Sequence, residues 1–115
     1  MSNKLPLRQI ADDVCAAPQL GPEQMADVAA AGFRSIVNNR PDFEYGPDQP
    51  AHAAIEAAAR AAGLEYRFLP VDPAVQTAQD AAAMARLLAE LPRPLLMFCR
   101  TGNRSIRLFA LAQGG

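Results

Sequence analysis

Residues 94–105 read PLLMFCRTGNRS and predict a strand, a tight loop and the start of a helix in direct succession. The apolar run at residues 94–98 is typical of a parallel strand that is buried on both faces. Residues 105–112 read as a helix. Cys99 therefore lies between the carboxyl end of a buried strand and the N-terminus of a helix, and this junction decides the fold that we expect around it.

The surroundings of Cys99 are those of a reactive thiol. Backbone N–H groups of the loop can point inward, and the helix dipole adds roughly half a positive charge at this end. Three arginines follow within eight residues: Arg100, Arg104 and Arg107. Such positions lower a thiol pKa from about 8.5 towards about 3.5–7.5, which predicts a thiolate nucleophile at neutral pH. The common alternative, a buried structural cysteine, has no need of this charged loop.

Strand and helix patterns alternate along the rest of the chain. Gly21-Pro22-Glu23 is typical of a helix start, and Thr77 with Asp80 resembles a capping box. We predict strands over residues 8–15, 33–37, 64–69 and 94–98, and helices over residues 21–32, 51–62, 77–90 and 105–112. The order β-α-β-α-β-α-β-α predicts one α/β domain over residues 1–115, with a parallel sheet of four to five strands and helices on both faces.

Polar residues follow three of the predicted strands. Ligands of such sheets bind at the carboxyl ends of the strands, so we expect residues 38–42, Asp72 and the cysteine loop to converge on one site. Arg40 is either a substrate contact or a residue of the strand-exit turn. Asp72 is either a site residue or the turn-forming half of an Asp-Pro pair.

Composition excludes several classes of function. The chain has 115 residues, half of them hydrophobic, and a net charge of −1, which favours neither a nucleic acid nor a membrane surface as partner. No stretch approaches the length of a membrane span. The first residues lack the apolar core of a signal peptide, so we expect a cytoplasmic protein.

The metal-binding side chains are few. The chain contains one histidine, His52, and two distant cysteines, Cys15 and Cys99. Neither a metal site nor a cofactor is expected from this set. A lone disulfide is not expected in a cytosolic enzyme. We predict that Cys15 is a packed strand residue, the alternative being a redox role in which it resolves an intermediate on Cys99.

Three motifs occur together in the chain: GFRSIVNNRPD at residues 32–42, GLEY at residues 63–66 and FCRTGNRS at residues 98–105. In this combination the sequence resembles the phosphatase-like domain family of the β-lactamase-hydrolase-like proteins, which is also described as a rhodanese-like sulfur transferase family. The resemblance covers nearly the whole chain. It implies a fold similar to that of dual-specificity protein phosphatases.

The reaction depends on the size of the cysteine loop. Four residues separate Cys99 from Arg104, whereas cysteine phosphatases keep five and rhodanese-type sulfurtransferases typically have four. A Cys-x4-Arg ring is smaller and has one fewer inward N–H, so it suits a persulfide better than a phosphoryl group. The resemblance to rhodaneses also extends to the pattern Cys-Arg-x-Gly-x-Arg. We therefore expect a sulfurtransferase.

In the sulfur-transfer hypothesis, the Cys99 thiolate attacks the sulfane sulfur of thiosulfate or a glutathione persulfide, and sulfite or a thiolate leaves. Arg104 holds the anionic donor. A thiol acceptor such as glutathione then takes the sulfur from the Cys99 persulfide. The expected substrate contacts are Arg100, Thr101, Gly102, Asn103, Ser105 and Arg40. The resemblance also implies a sulfur-oxidising partner domain.

The alternative is a cysteine-dependent phosphatase that uses the same residues. Cys99 attacks phosphorus, Arg104 binds the equatorial oxygens, and Ser105 assists departure of the thiolate from the phosphocysteine. An alkoxide leaving group needs a proton, and Asp72, 27 residues before Cys99, is the candidate general acid. A third hypothesis is a module that binds an anion at this loop without turnover.

Overall fold

The computed structural model of the protein describes residues 5–114. In this part of the chain the strands are β1 (Arg8–Ala11), β2 (Val14–Ala17), β3 (Ser35–Asn38), β4 (Glu65–Phe68) and β5 (Leu95–Phe98). The α-helices are α1 (Met25–Ala30), α2 (His52–Ala61), α3 (Ala78–Glu90) and α4 (Asn103–Ala112), and a 3-10 turn over Pro22–Gln24 leads into α1.

The sheet has the strand order β1-β2-β5-β3-β4. β5 lies at the centre because all four of its residues are apolar, and all four are buried. It pairs in parallel with β2 and β3, and β4 pairs in parallel with β3. The predicted α/β fold, with a mostly parallel sheet of five strands, is confirmed.

The prediction of one strand over residues 8–15 is wrong. The structure has two strands there, β1 and β2, which pair antiparallel around Asp12 and Asp13. Two successive aspartates favour a turn, since their side chains compete for backbone N–H groups. The sheet therefore carries an antiparallel edge strand, and Cys15 lies within β2 beside the central strand.

Successive side chains of β5 point to opposite faces of the sheet, because the strand is pleated. Leu96 and Phe98 belong to the core that contains residues of α1 and α2. Leu95 and Met97 belong to the core that contains residues of α3 and α4. The prediction of helices on both faces is confirmed.

Helix starts follow the sequence signals with some shifts. The capping box at α3 is formed: the Asp80 N–H donates to Thr77 Oγ1 (3.0 Å), and the Thr77 N–H donates to Asp80 Oδ2 (2.9 Å). The helix predicted over residues 21–32 is shorter, because its first turn is a 3-10 turn. Among the described helices none is both long and apolar enough to cross a membrane.

The carboxyl ends of the parallel strands are tied together by backbone hydrogen bonds. The Asn39 N–H donates to the Phe98 carbonyl (2.8 Å), and the Val71 N–H donates to the Asn39 carbonyl (3.0 Å). The predicted convergence of the segments after β3, β4 and β5 is thereby confirmed, and it sets the framework of the site.

Candidate active site

Cys99 is the first residue after β5 and is 1% exposed. Its N–H donates to the Ala17 carbonyl at the end of β2 (3.4 Å), and the next carbonyl, that of Arg100, accepts from the Gln19 N–H (3.2 Å). The segment that follows β2 thus supports the first half of the cysteine loop. The thiol sits at the closed base of this loop.

Hydrogen bonds decide the charge state of Cys99. Burial raises the pKa of its thiol, but the N–H and hydroxyl of Ser105 and the N–H groups of Gly102 and Thr101 outweigh burial and lower the pKa below its ordinary value. The Gly102 N–H lies 3.0 Å from the Cys99 sulfur. Loop hydrogen bonds are therefore the main cause of the lowered pKa of Cys99. The sequence analysis also attributed that lowering to the positive charges of the nearby arginines.

The loop closes through a backbone conformation at Gly102 that strongly favours glycine. Its φ of +95° lies in the left-handed region that residues with a Cβ rarely adopt. A Cβ at this position would lie 2.8 Å from Arg8 Nη2 and 3.4 Å from the carbonyl group of Ala17. This backbone turn directs the Gly102 N–H at the thiol and starts α4 one residue later, at Asn103.

Arg104 is almost completely buried, with 5% exposure. Its Nη1 donates to the carbonyls of Val71 (3.1 Å) and Asn39 (3.4 Å). Its Nη2 donates to Glu44 Oε1 (3.0 Å). The Nε–H has no hydrogen-bond partner within residues 5–114. The guanidinium is thus held by the strand ends while one donor stays available.

Glu44 is a site residue that the sequence analysis did not identify. Its Oε1 accepts from Arg40 Nε (2.9 Å) as well as from Arg104. Burial raises the pKa of Glu44, but the hydrogen bonds and charges of Arg104 and Arg40 outweigh burial and lower it. The carboxylate is therefore ionised and joins the two buried guanidinium groups.

Arg40 reaches the site through this carboxylate. Its Nη1 also donates to Gln19 Oε1 (2.9 Å), and its side chain is 7% exposed. The Tyr45 ring lies near two guanidinium groups, 5.3 Å from that of Arg40 and 4.5 Å from that of Arg100. Arg40 thus belongs to the framework around Arg104, and its direct contact with a substrate stays a prediction.

Ser105 connects the cysteine to the end of β3. Its hydroxyl donates to Asn39 Oδ1 (2.8 Å), and Asn39 Nδ2 donates in turn to the Leu69 carbonyl (3.0 Å). The hydroxyl also hydrogen-bonds to Cys99. It has one proton, so it donates to Asn39 or to the thiolate at any moment.

Asp72 lies in the segment after β4, next to Val71, whose carbonyl accepts from Arg104. Its side chain is turned to its own backbone: Oδ1 accepts from the N–H groups of Ala74 (2.7 Å) and Val75 (3.3 Å). The residue is exposed. In this conformation the carboxylate forms the predicted Asp-Pro turn, and a role as general acid requires it to leave those hydrogen bonds.

A cavity of about 580 Å³ opens beside the cysteine loop. Three of the predicted substrate contacts line it, namely Arg100, Thr101 and Asn103, together with Arg104. Arg8 and Arg107 also line it, and neither was among the predicted site residues. Arg8 is on the edge strand β1, far from the loop in sequence, and no local motif marks it.

The other potential ligands are scattered. No group of three or more His, Cys, Asp or Glu side chains is arranged to hold a metal ion within residues 5–114. Cys15 and Cys99 are both free thiols. Burial raises the pKa of Cys15, which packs at the margin of the core beside α1 and α2.

Residues 6–115 match the family model described as "Beta-lactamase hydrolase-like protein, phosphatase-like domain". The chain belongs to this family. It is 41% identical over 91 residues to a β-lactamase hydrolase-like protein of Xylella fastidiosa Temecula1, covering 79% of this chain and 21% of that protein. The match to the Agrobacterium fabrum protein of the same name is 38% over 86 residues, covering 75% and 20%. This phosphatase-like domain thus spans about a fifth of the length of the curated relatives that it matches.

Solved structures carry the same fold. A candidate phosphatase from Neisseria meningitidis Z2491 superposes with a TM-score of 0.86 at 26% identity, over 96% of this chain and 78% of that one. Another from Shewanella putrefaciens CN-32 gives 0.77 at 24% identity, over 96% and 73%. Tk-PTP gives 0.68 at 15% identity, over 96% and 76%. The last two show the fold alone.

These comparisons confirm the predicted family and the resemblance to cysteine phosphatases. They favour the phosphatase alternative over the expected sulfurtransferase, because the family model and the Neisseria structure carry phosphatase names.

Proposed function

We propose that the phosphatase-like domain is a cysteine-dependent phosphatase that hydrolyses phosphate monoesters through a phosphocysteine at Cys99. The observation that carries the proposal is the buried thiol, hydrogen-bonded to loop N–H groups, in the same loop as an arginine whose guanidinium the strand ends hold in place. The family and the Neisseria structure, which is named as a candidate phosphatase, support the same reaction class.

The proposed reaction has two steps, formation and hydrolysis of the phosphocysteine, and residues of the cysteine loop assist both. The Cys99 thiolate attacks phosphorus, the P–O bond to the leaving group breaks, and the departing oxygen takes a proton. Arg104 and the loop N–H groups stabilise charge on the phosphoryl oxygens. Water then attacks the phosphocysteine, releasing phosphate and restoring the thiolate, which the Ser105 hydroxyl stabilises.

The position of Asp72 narrows the substrate class. Its carboxylate accepts hydrogen bonds within its own turn, so in this conformation it does not donate a proton to the leaving group. Protonation of the leaving group is therefore the least well catalysed step. Aryl phosphates, whose phenoxides leave without much protonation, should therefore react much faster than alkyl phosphates.

Sulfur transfer is the second candidate, and a specific observation favours it. The Cys-x4-Arg loop lacks one residue of the phosphatase ring, and Asp72 does not line the cavity. Neither sulfite nor a thiolate needs a proton to leave. The thiolate of Cys99 would attack the outer sulfur of thiosulfate, break its S–S bond and release sulfite, and a thiol would then accept the sulfur from the persulfide.

One preparation tests both reactions, with the Cys99→Ser variant as the control. Phosphate release from an aryl phosphate and intact mass after incubation with thiosulfate are measured side by side. Phosphate release that the control lacks supports the phosphatase. A gain of one sulfur atom, absent in the control and removed by a thiol, without phosphate release, would replace it with the sulfurtransferase. If neither phosphate release nor a gain of sulfur is detected, the remaining hypothesis is a module that binds an anion without turnover.

Asp72→Asn then separates the roles within the phosphatase reaction, with Asn in place of the exposed Asp48 as the matched control. If Asp72 is the acid, hydrolysis of alkyl phosphates falls by about 10²–10⁴-fold, the usual contribution of general acid catalysis, and aryl phosphates are affected less. Equal rates for the two variants on both substrates would remove Asp72 from the mechanism.

A further inference from the structure

The cavity beside the cysteine loop is lined by an unusual number of arginines. Four arginines from β1, from the loop and from α4 are among its lining residues: Arg8, Arg100, Arg104 and Arg107. The other lining residues are Pro73, Thr101, Asn103 and Ile106. No carboxylate is among them, so the cavity is strongly positive on a chain whose net charge is −1.

The charges of three of these arginines are not neutralised by the protein. Within residues 5–114, Arg8, Arg100 and Arg107 have no salt bridge to any carboxylate. In the described part of the chain, the only carboxylate at this end of the sheet that pairs with guanidinium groups is Glu44, which binds Arg40 and Arg104. A bound anion would balance this charge locally.

The same arginines are held in place by contacts that leave their charge intact. Arg8 Nη2 donates to Asn103 Oδ1 (2.9 Å) and to the Thr101 carbonyl (3.3 Å). Arg107 Nη2 donates to the Pro73 carbonyl (2.9 Å). The Arg100 guanidinium lies over the Tyr45 ring, 4.5 Å from its centroid. Positioning before binding reduces the entropy that these long side chains lose when a ligand arrives.

Arg104 belongs both to the cysteine loop and to the lining of the cavity. It is 5% exposed, it lines the cavity, and its Nε–H is without a partner in the described part of the chain. A buried donor of this kind is costly unless something accepts from it. An anion bound between Cys99 and the cavity would satisfy it.

We propose that this cavity is a second anion subsite, which binds a further negatively charged group of the substrate while the reacting group lies at Cys99. The proposal rests on the proposed function only in placing the reacting group at the cysteine loop. The shared chemistry is a phosphate or a carboxylate, joined to the reacting group by a short spacer that contacts Pro73 and Ile106. A volume of about 580 Å³ is that of a small-molecule site and exceeds the needs of a single inorganic anion.

Binding to the Cys99→Ser protein tests this subsite without turnover. Three ligands with a four-carbon chain are compared by isothermal titration calorimetry: butyl phosphate, butane-1,4-diyl bisphosphate and 4-(phosphonooxy)butanoate. We expect the bisphosphate to bind at least about tenfold more tightly than butyl phosphate, since one charge-assisted contact has about that value. The carboxylate ligand shows which second group the subsite prefers.

Matched variants assign the effect to the arginines. Arg8→Gln and Arg107→Gln should each reduce the preference for the bisphosphate, and the double variant should abolish it. Arg8→Lys, which keeps the charge, should retain most of it. Arg86→Gln is the control, because Arg86 is exposed on α3 and does not line the cavity. Thermal melting of each variant identifies any loss of folding.

Each outcome bears on a separate claim. Equal affinities of butyl phosphate and both two-group ligands would overturn the subsite while leaving the proposed reaction intact. A preference that survives in the double variant would overturn the assignment to Arg8 and Arg107. Failure of all three ligands to bind would overturn both the subsite and an anion site at the cysteine loop.

Discussion

The two cysteines of this domain lie on neighbouring parallel strands and yet have opposite properties. Cys15 is inside β2, opposite Leu96 of β5, and burial raises the pKa of its thiol. Cys99 is one residue beyond the end of β5, more deeply buried, and the pKa of its thiol is lowered. Within a strand the backbone N–H groups are used by the sheet, whereas beyond the strand end they are free to bind sulfur. Burial alone therefore does not decide the reactivity of a thiol.

The largest effect should come from exchanging each cysteine for serine. Cys99→Ser should lower turnover by four orders of magnitude or more, as removal of a nucleophile does in other enzymes. Cys15→Ser should leave the rate within about twofold, since an isosteric change at a half-buried strand position disturbs only local packing. Steady-state kinetics on both variants measures this, and a comparable loss in Cys15→Ser would mean that the two thiols act together.

A change at Gly102 tests whether the loop backbone lowers the pKa of Cys99. Ala in the left-handed region costs roughly 1–2 kcal/mol, and relief of that strain would turn the residue 102 N–H away from the sulfur. We expect Gly102→Ala to raise the pKa of Cys99 and slow its alkylation at neutral pH by about tenfold. The measurement is the pH dependence of alkylation followed by mass spectrometry.

Gly63→Ala is the matched control for that change. Gly63 has a φ of +88°, but an added Cβ there meets no atom within 4 Å. Both variants should lose stability by similar backbone strain, while only Gly102→Ala alters Cys99. If Gly63→Ala slows alkylation equally, the effect reflects general destabilisation and not the hydrogen bond to sulfur.

Ser105→Ala should have a smaller effect on the same pKa. The change removes the hydroxyl hydrogen bond but keeps the Ser105 N–H, so part of the stabilisation remains. We expect the alkylation profile of Cys99 to move to higher pH by less than about one unit, while that of Cys15 stays in place. An unchanged Cys99 profile would show that the hydroxyl donates only to Asn39.

Glu44 extends the comparison to a titratable group whose pKa is lowered by hydrogen bonds and charges from arginine side chains. Its folded-state pKa lies below the unfolded value, so its contribution to stability is full above the unfolded pKa of about 4.3 and is lost as pH falls through the folded pKa. Urea unfolding from pH 7 to pH 3 should therefore show a smaller loss of stability in Glu44→Gln than in the parent protein. Parallel curves for the two proteins would remove the ion pairs with Arg104 and Arg40 as a source of acid sensitivity.

The sequence predicted the parts of the site that are close together along the chain. The apolar run before Cys99, the glycine three residues after it and the arginine that follows specify the strand, turn and helix by local preferences. The capping box at Thr77 and Asp80 was predictable for the same reason. The split of the opening segment into β1 and β2 was missed because a short apolar segment does not show where its chain reverses.

Contacts across long stretches of chain were not predictable in this way. Glu44 pairs with Arg104 across 60 residues, and Arg8 contacts Asn103 across 95. The choice of partner depends on which loops the strand order brings to one edge of the sheet, and many charged residues in the sequence were equally eligible. The conformation of Asp72 was not predictable either, since its carboxylate can accept hydrogen bonds from its own turn or face the site.

The sequence by itself therefore determined the α/β fold, the family and the candidate nucleophile with its arginine, because these depend on short-range patterns and on hydrogen bonding within one loop. Only the tertiary structure decided that Glu44 joins Arg40 to Arg104, that Asp72 caps its own turn, and that arginines from β1 and α4 line one cavity. Those arrangements come from packing, which places residues side by side without regard to their separation along the chain.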